Sequence, residues 1–420
     1  MRKLIVCGVG LVAALALTVP GAFGGAAQTP GVTAKSITIG GTFPLTGVAA
    51  AYAPIPLGMK AYFSYINARK GPDGKRGVMG RQIIWKYYDD GYNPAQTVLL
   101  TRRLVEQDKV FATVGQLGTD QNLAIRGYMN QQKVPQSLVS TGASNWGLQY
   151  KQFPWTTGWQ PDYIAEGRIY GNQIKQNFNG KKIAVLFQND EYGRDYLYGL
   201  RAGLGKSYAD ANIVAQESVE ATATSVASQM VRIRASGAAV FVIFQLPTPT
   251  VRTIATGKAL GYNPDQIYMN SVSAFRQPMA GAIASAGAPY VNGILSVAYL
   301  KDVQQARWDN DPAMKLYNQI VAKYLPGSNP DDGQIYYGVA KAEAFVQALY
   351  RAGKNPTRAG LQSALANMND VNKFALPGVV QKTSKTDHWV MSKVQLQRFN
   401  GSTAVWTPVG QLIEGRPRSR

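Results

Sequence analysis

The sequence predicts an α/β protein built as two successive parallel-sheet units with helices between the strands. Three observations carry this. From residue 37 the hydrophobic period switches repeatedly between strand-like and helix-like spacing, which is the mark of βαβ units. The pattern breaks once, at "FPWTTGWQP" (153–161), and then resumes. The length, 420 residues, exceeds what one hydrophobic core comfortably serves.

Taken in order, "SITIGGTF" reads as a strand and "PIPLGMKAYFSYINARK" as an amphipathic helix with Met59, Phe63 and Ile66 on one face. "RQIIWKYYD" is a strand, and "NPAQTVLLTRRLVEQD" a helix opened by Asn93 with Pro94 in its first turn. "VFATVG" and "VPQSLVS" are strands on either side of the helix "TDQNLAIRGYMNQQ". After the break come the helix "YIAEGRIYGNQIKQN", the strand "KKIAVLFQND", the helix "EYGRDYLYGLRAGLGKSYA", the strand "ANIVAQESV" and the helix "SVASQMVRIRAS". "AAVFVIFQ" (238–245) is almost wholly apolar, as expected at the centre of a parallel sheet. "TVRTIATGKALGY" and "QIYMNS" continue the alternation, and "YVNGILSVAYL" leads to helices at 311–325, 332–353 and 357–368. "WVMSKVQLQRFNGSTAVWTPVG" reads as two strands around an Asn400-Gly401 turn.

The N-terminus predicts export. "MRK" is a basic start, "LIVCGVGLVAALALTV" an apolar run short for a bilayer span, and "PGAFGGAAQ" supplies small residues for cleavage after Ala27, or after Gly24. "LIVC" lies too early to be a lipoprotein box, and Cys7, the single cysteine, leaves with the signal. The mature chain then has neither a disulfide nor a thiol. Composition, 45% hydrophobic and 16% charged, excludes a disordered chain. The formal charge of +20, or +18 without Arg2 and Lys3, is spread along the sequence with no long basic run. It therefore favours attraction of anionic solutes over nucleic acid.

Catalytic signatures are missing. No G-x-G-x-x-G and no P-loop occurs. "TGASNWG" has Trp146 where a nucleophile elbow needs glycine, and His388 is the only histidine available as a base. One histidine and no mature cysteine leave no usual transition-metal set, so no metal and no cofactor is expected. Adjacent acids such as Asp89-Asp90 and Asp331-Asp332 suit caps better than acid–base work. An enzyme is not expected.

What remains is a series of polar turns at strand C-termini: "GTFPLTGVAAAY", "GQLGTDQN" and "VSTGASNW" in the first unit, "FQNDEYG" and "MNSVSA" in the second. Ligands of open α/β sheets sit in the crevice outside such ends, and two facing units would make a cleft that closes on a small solute. "VGQLGTDQNLA" (114–124) is the sharpest case, because a turn opening a helix aims free N–H groups at an anion.

In order and spacing, "ITIGGTFPLTGVAAAYA", "YYDDGYNPAQTVLLTRRLVEQDKVFATVGQLGT", "VPQSLVSTGAS" and "QNDEYGRDY" resemble the solute-binding proteins of branched-chain-amino-acid-type ABC importers over about residues 36–400. The resemblance implies a type I periplasmic binding fold: two doubly wound lobes joined by three crossovers, near "PWTTGWQ", "LSVAYLK" and "FALPGVV". It divides the chain into a first lobe (33–157 plus 298–372), a second lobe (158–297 plus 373–412) and a tail (413–420). It implies a monomer outside the cytoplasm that delivers a small anionic solute to an inner-membrane ABC permease. A ligand-sensing domain for a regulator or signalling receptor is the alternative.

By position, Thr119, Gly142 and Ser144 match residues that contact a ligand's head group, and Tyr52 and Tyr192 match aromatics that cover it. Hydroxyls and helix-start amides suit a carboxylate. Val272 stands where amino-acid binders of the family place a carboxylate against the ligand's ammonium, and a desolvated ammonium without a counter-charge is costly. An aromatic or aliphatic acid without an α-amino group is therefore favoured, with Asp190 or Glu191 as the other candidates for the ammonium role. Tyr92 and Gly118 stand at the positions of the family's first-lobe disulfide.

Overall fold

A computed structural model describes residues 29–415. The expected export signal, and residues 416–420 of the expected tail, lie outside the described residues. The first sheet holds β1 (Ser36–Phe43), β2 (Gln82–Asp89), β3 (Thr113–Val114) and β4 (Gln136–Ser137), all parallel, in the order β2-β1-β3-β4. The second sheet begins with β5 (Ile183–Gln188), β6 (Ile213–Val219), β7 (Val240–Phe244), β8 (Gln266–Met269) and β9 (Leu295–Ala298), parallel in the order β6-β5-β7-β8-β9. The same reversal of strand order thus occurs in both sheets, at β1/β3 and at β5/β7. A small ladder pairs β10 (Asn369–Asp370) with β11 (Gln381–Lys382). β12 (Lys393–Asn400) and β13 (Val405–Glu414) then extend the second sheet antiparallel beyond β9.

Local sequence explains most of this. Every residue of β5 ("IAVLFQ") and β7 ("VFVIF") is buried, which suits strands covered on both faces, whereas the edge strand β6 alternates exposed and half-buried positions. Asn93 caps the helix Pro94–Arg102 by accepting from the amides of Ala95 and Gln96. The helices Tyr163–Asn177 and Glu191–Leu204 cross at backbone contact: a Cβ on Gly199 would lie 2.2 Å from the Ile164 carbonyl oxygen, and one on Gly167 2.4 Å from that of Tyr196. This close crossing fixes the two helix starts, Tyr163 and Tyr192, beside one another, with ring centres 5.1 Å apart.

The structure corrects three local expectations. The strand expected over "VPQSLVS" forms a continuous ladder only at Gln136–Ser137, with a single further bridge from Ser140 to Leu117, because Leu138 takes a φ of 50° and interrupts the ladder. The C-terminal hairpin turns through residues 401–404, not a two-residue Asn-Gly loop. There the Asn400 carboxamide oxygen accepts from the amides of Ser402 and Thr403, and Gly401 lies against the Ala288 carbonyl. β13 continues to Glu414, past the expected strand end at Gly410 and the expected lobe end at 412, because Lys393 and Val394 offer it pairing partners.

The chain passes between the two sheets three times. The first passage follows Thr157, whose amide still bonds the β4 residue Gln136, and the second follows β9. The third lies at 384–392, later than "FALPGVV". Gln381 still accepts from the Trp159 indole, and Thr383 bonds Met368 and Leu365, so this stretch stays with the helices that back the first sheet.

Candidate functional site

The C-terminal ends of the two sheets face each other across a cavity of about 150 Å³. Its first wall comes from the turns after β1, β3 and β4: Tyr52, Leu117, Gly118, Thr119, Ser140 and Thr141. Its second comes from the start of the 191–204 helix and the turn after β8: Tyr192, Val272, Ala274 and Phe275. The passages add Gln160, Tyr163 and Tyr299, and the helix Gly333–Ala352 adds Tyr336 and Tyr337. With Tyr92, seven tyrosines line the space.

Four of the six residues singled out from sequence line this cavity: Tyr52, Thr119, Tyr192 and Val272. The Tyr52 hydroxyl donates to the Val272 carbonyl at 3.0 Å, tying the two walls together. The Thr119 and Thr141 hydroxyls share a hydrogen bond at 2.6 Å. Thr119 opens the helix Thr119–Gln131, whose N-terminus no side chain caps, so its first amides point outward unbonded within the helix. The Tyr192 hydroxyl accepts from the Asn270 carboxamide, which also donates to the Gln245 carbonyl at 2.9 Å. Gln160 links Tyr337, from which it accepts at 2.8 Å, to the Tyr163 hydroxyl, to which it donates at 3.1 Å.

The other two residues lie off the cavity. Ser144 is fully buried and bonds Asp195 through its amide at 2.7 Å and its hydroxyl at 3.0 Å, so its side chain joins helices of the two halves and does not face the cavity. Gly142 is packed under the first passage: its carbonyl accepts from the Tyr163 amide at 2.8 Å, and a Cβ there would lie 2.2 Å from the Pro161 oxygen. Neither is placed for head-group contact in this conformation.

Neither Asp190 nor Glu191 lines the cavity beside Val272. Asp190 caps the 191–204 helix by accepting from the Gly193 amide at 3.0 Å, and burial pushes its carboxyl up to about 6. Glu191 pairs with Arg194. Glu166, which sequence reading missed, lies below Ser271 and accepts from its amide and hydroxyl at 2.7 and 2.6 Å and from Tyr170 and Tyr196 at 2.7 and 2.9 Å. Two carboxylates do line the cavity. Asp331 pairs with Arg276 at 2.5 Å, and Asp302 stays raised by burial although the Gln304 amide, Arg307 and Arg276 oppose the shift. The lining Lys301 pairs with Asp311 at 2.7 Å.

Tyr92 and Gly118 do sit side by side, a Cβ on Gly118 lying 3.0 Å from the Tyr92 ring, so the aromatic ring occupies the neighbourhood expected of a disulfide. His388 stacks on Tyr150 with ring centres 4.1 Å apart and is not part of the cavity wall. Among the described residues no three His, Cys, Asp or Glu side chains gather as a metal group. No described helix is long and apolar enough to cross a membrane.

A sequence profile described as "Periplasmic binding protein" matches residues 36–404. The chain belongs to the periplasmic binding protein family. This is a family of solute-binding proteins and not of enzymes, in keeping with the missing catalytic signatures. An amino acid binding protein of Pseudomonas aeruginosa is 23% identical over 321 residues, 76% of this chain and 79% of that one. Among solved structures, a branched-chain amino acid ABC transporter protein from Thermus thermophilus with bound valine superposes with a TM-score of 0.76 at 19% identity, covering 90% of this chain and 97% of that one. A fatty acid ABC transporter substrate-binding protein from Thermomonospora curvata gives 0.74 at 20% identity, covering 92% and 94%. A solute-binding protein from R. palustris in complex with 4-hydroxybenzoate gives 0.73 at 16%, covering 91% and 98%. At such identities the likeness is one of fold, and these periplasmic binding proteins differ among themselves in what they hold.

Proposed function

We propose that this periplasmic binding protein is the exported receptor of an ABC importer and captures a small carboxylic acid with an aromatic or aliphatic body and no α-amino group. The observation that carries the reading is the pairing of two unlike surfaces in one cavity. Thr119, Thr141 and the uncapped start of the 119–131 helix supply donors for a carboxylate, and the tyrosines supply apolar faces for the body. Of the two lining carboxylates, Asp331 is paired with Arg276, and Asp302 accepts from the Gln304 amide and is raised by burial, so neither is a free counter-charge for an ammonium group. A cavity of about 150 Å³ matches one known to accept benzene. Family membership and the ABC-transporter titles of the structural neighbours support delivery to a membrane permease, and the basic charge supports steering of anions towards the cleft.

The test is thermal unfolding of the mature protein, stripped of carried-over ligand, against 4-hydroxybenzoate, medium-chain fatty acids, leucine, isoleucine and valine. A ligand present at 100 times its dissociation constant adds about 2.7 kcal/mol. A response to acids alone supports the reading. A response to the amino acids alone overturns it.

A further inference from the structure

Lys341 has no exposed surface and sits in the middle of the 333–352 helix. Its ammonium donates to the Leu138 carbonyl at 2.8 Å and lies 4.7 and 4.8 Å from the ring centres of Trp159 and Tyr337. Among the described residues no carboxylate forms an ion pair with it, and burial alone pushes its pKa well below that of an ordinary lysine. Holding one carbonyl needs no charge, and a buried cation without a counter-charge is expensive.

The groups recorded around it all belong to the first-sheet side. They are Gly115 from the turn after β3, Leu138 after β4, Trp159 from the first passage, and Tyr337 one turn back on its own helix. A Cβ on Gly115 would lie 2.8 Å from the lysine Cδ, and Met59 of the helix Pro54–Ala68 borders the same point. Of these only Tyr337 titrates. Tyr337 is also a cavity wall, as are Ser140 and Thr141 just beyond Leu138, so the ammonium stands one side-chain layer behind the lining. None of these neighbours belongs to the second sheet or its helices, so the site does not depend on closure.

We propose that Lys341 is the cavity's buried counter-charge, favouring anionic solutes through the wall formed by Tyr337 and the turn after β4. The inference rests on the carboxylate reading above. By linkage, a bound anion must favour the protonated lysine as much as the protonated lysine favours the anion. Anion binding then takes up a proton at any pH between the lysine pKa of the free protein and that of the complex.

The test is calorimetric titration of the mature protein with 4-hydroxybenzoate, octanoate and the primary amide of each, in buffers of different ionisation enthalpy between about pH 7 and 9. The expected result is proton uptake with the acids and none with the amides. Lys341→Met should abolish the uptake and weaken the acids about tenfold or more, leaving the amides nearly unchanged. Acid binding without uptake across that range overturns the proposal, as does a Lys341→Met protein that keeps both the uptake and the acid-over-amide preference. If that variant does not fold, the wild-type titration decides alone. Binding of valine but of neither acid overturns the functional reading instead, and the same proton count on valine then decides the role of Lys341. Binding of none of these overturns both.

Discussion

Tyr52 and Val272 lie 220 positions apart in the chain, and the phenol of the first donates to the carbonyl of the second at 3.0 Å. Tyr52 sits in the turn after β1 and Val272 in the turn after β8, so this bond spans the cleft at the level of the cavity. Separating the two walls would break it. Tyr52→Phe keeps the ring against Phe275 and removes the bond, so closure should weaken by about 0.5–1.5 kcal/mol. Titration should show ligand affinity falling by roughly 2- to 12-fold, with unfolding of the ligand-free protein little changed. Unaltered affinity would mean that the bond is not part of the bound state.

Val272→Asp places a carboxylate on the wall opposite Tyr52 without adding a cation. A buried negative charge repels a carboxylate ligand and attracts an ammonium. Competition titration should show acids losing about tenfold or more relative to valine. Equal losses for both classes would point to disruption of the wall instead of charge selection.

Ser144→Ala tests the junction at Asp195. The hydroxyl bond at 3.0 Å is lost while the amide bond at 2.7 Å stays. A hydrogen bond of this kind contributes about 0.5–1.5 kcal/mol, so denaturant unfolding should show a loss of that size. Because Ser144 does not line the cavity, intrinsic ligand contacts should survive.

Asp190→Asn separates fold stability from ligand chemistry. Burial raises this carboxyl from 3.8 to about 6, so the native state holds the proton more tightly than the unfolded chain. Stability therefore falls as pH rises through that window, and the charged form is a burden at neutral pH. The rise corresponds to at most on the order of 3 kcal/mol. Asparagine still caps the helix. Melting temperature should increase at pH 7 and show no gain at pH 4; a loss at pH 7 would mean that the charge on the cap outweighs its burial.

The alternation of elements was legible because it is written in local periodicity and in caps such as Asn93. The buried runs of β5 and β7 announced central strands for the same reason. The turns at strand ends were legible too, and four of the residues picked from them, Tyr52, Thr119, Tyr192 and Val272, line one cavity. Ser144 and Gly142 come from an equally polar turn, but Leu138 rotates the chain as it leaves β4 and the first passage packs over Gly142.

The amino-acid order by itself thus determined two parallel-sheet units, a set of polar turns at their strand ends, and the lack of a catalytic constellation. Only the tertiary structure decided which turns share a wall and that Gln160, Tyr163 and Tyr337 complete it. It alone showed that Glu166 is fully hydrogen-bonded and that, among the described residues, no carboxylate pairs with Lys341 behind Tyr337. Strand and helix spacing depend on neighbours a few residues away, whereas these relationships join residues up to 220 positions apart and are set by how the helices pack.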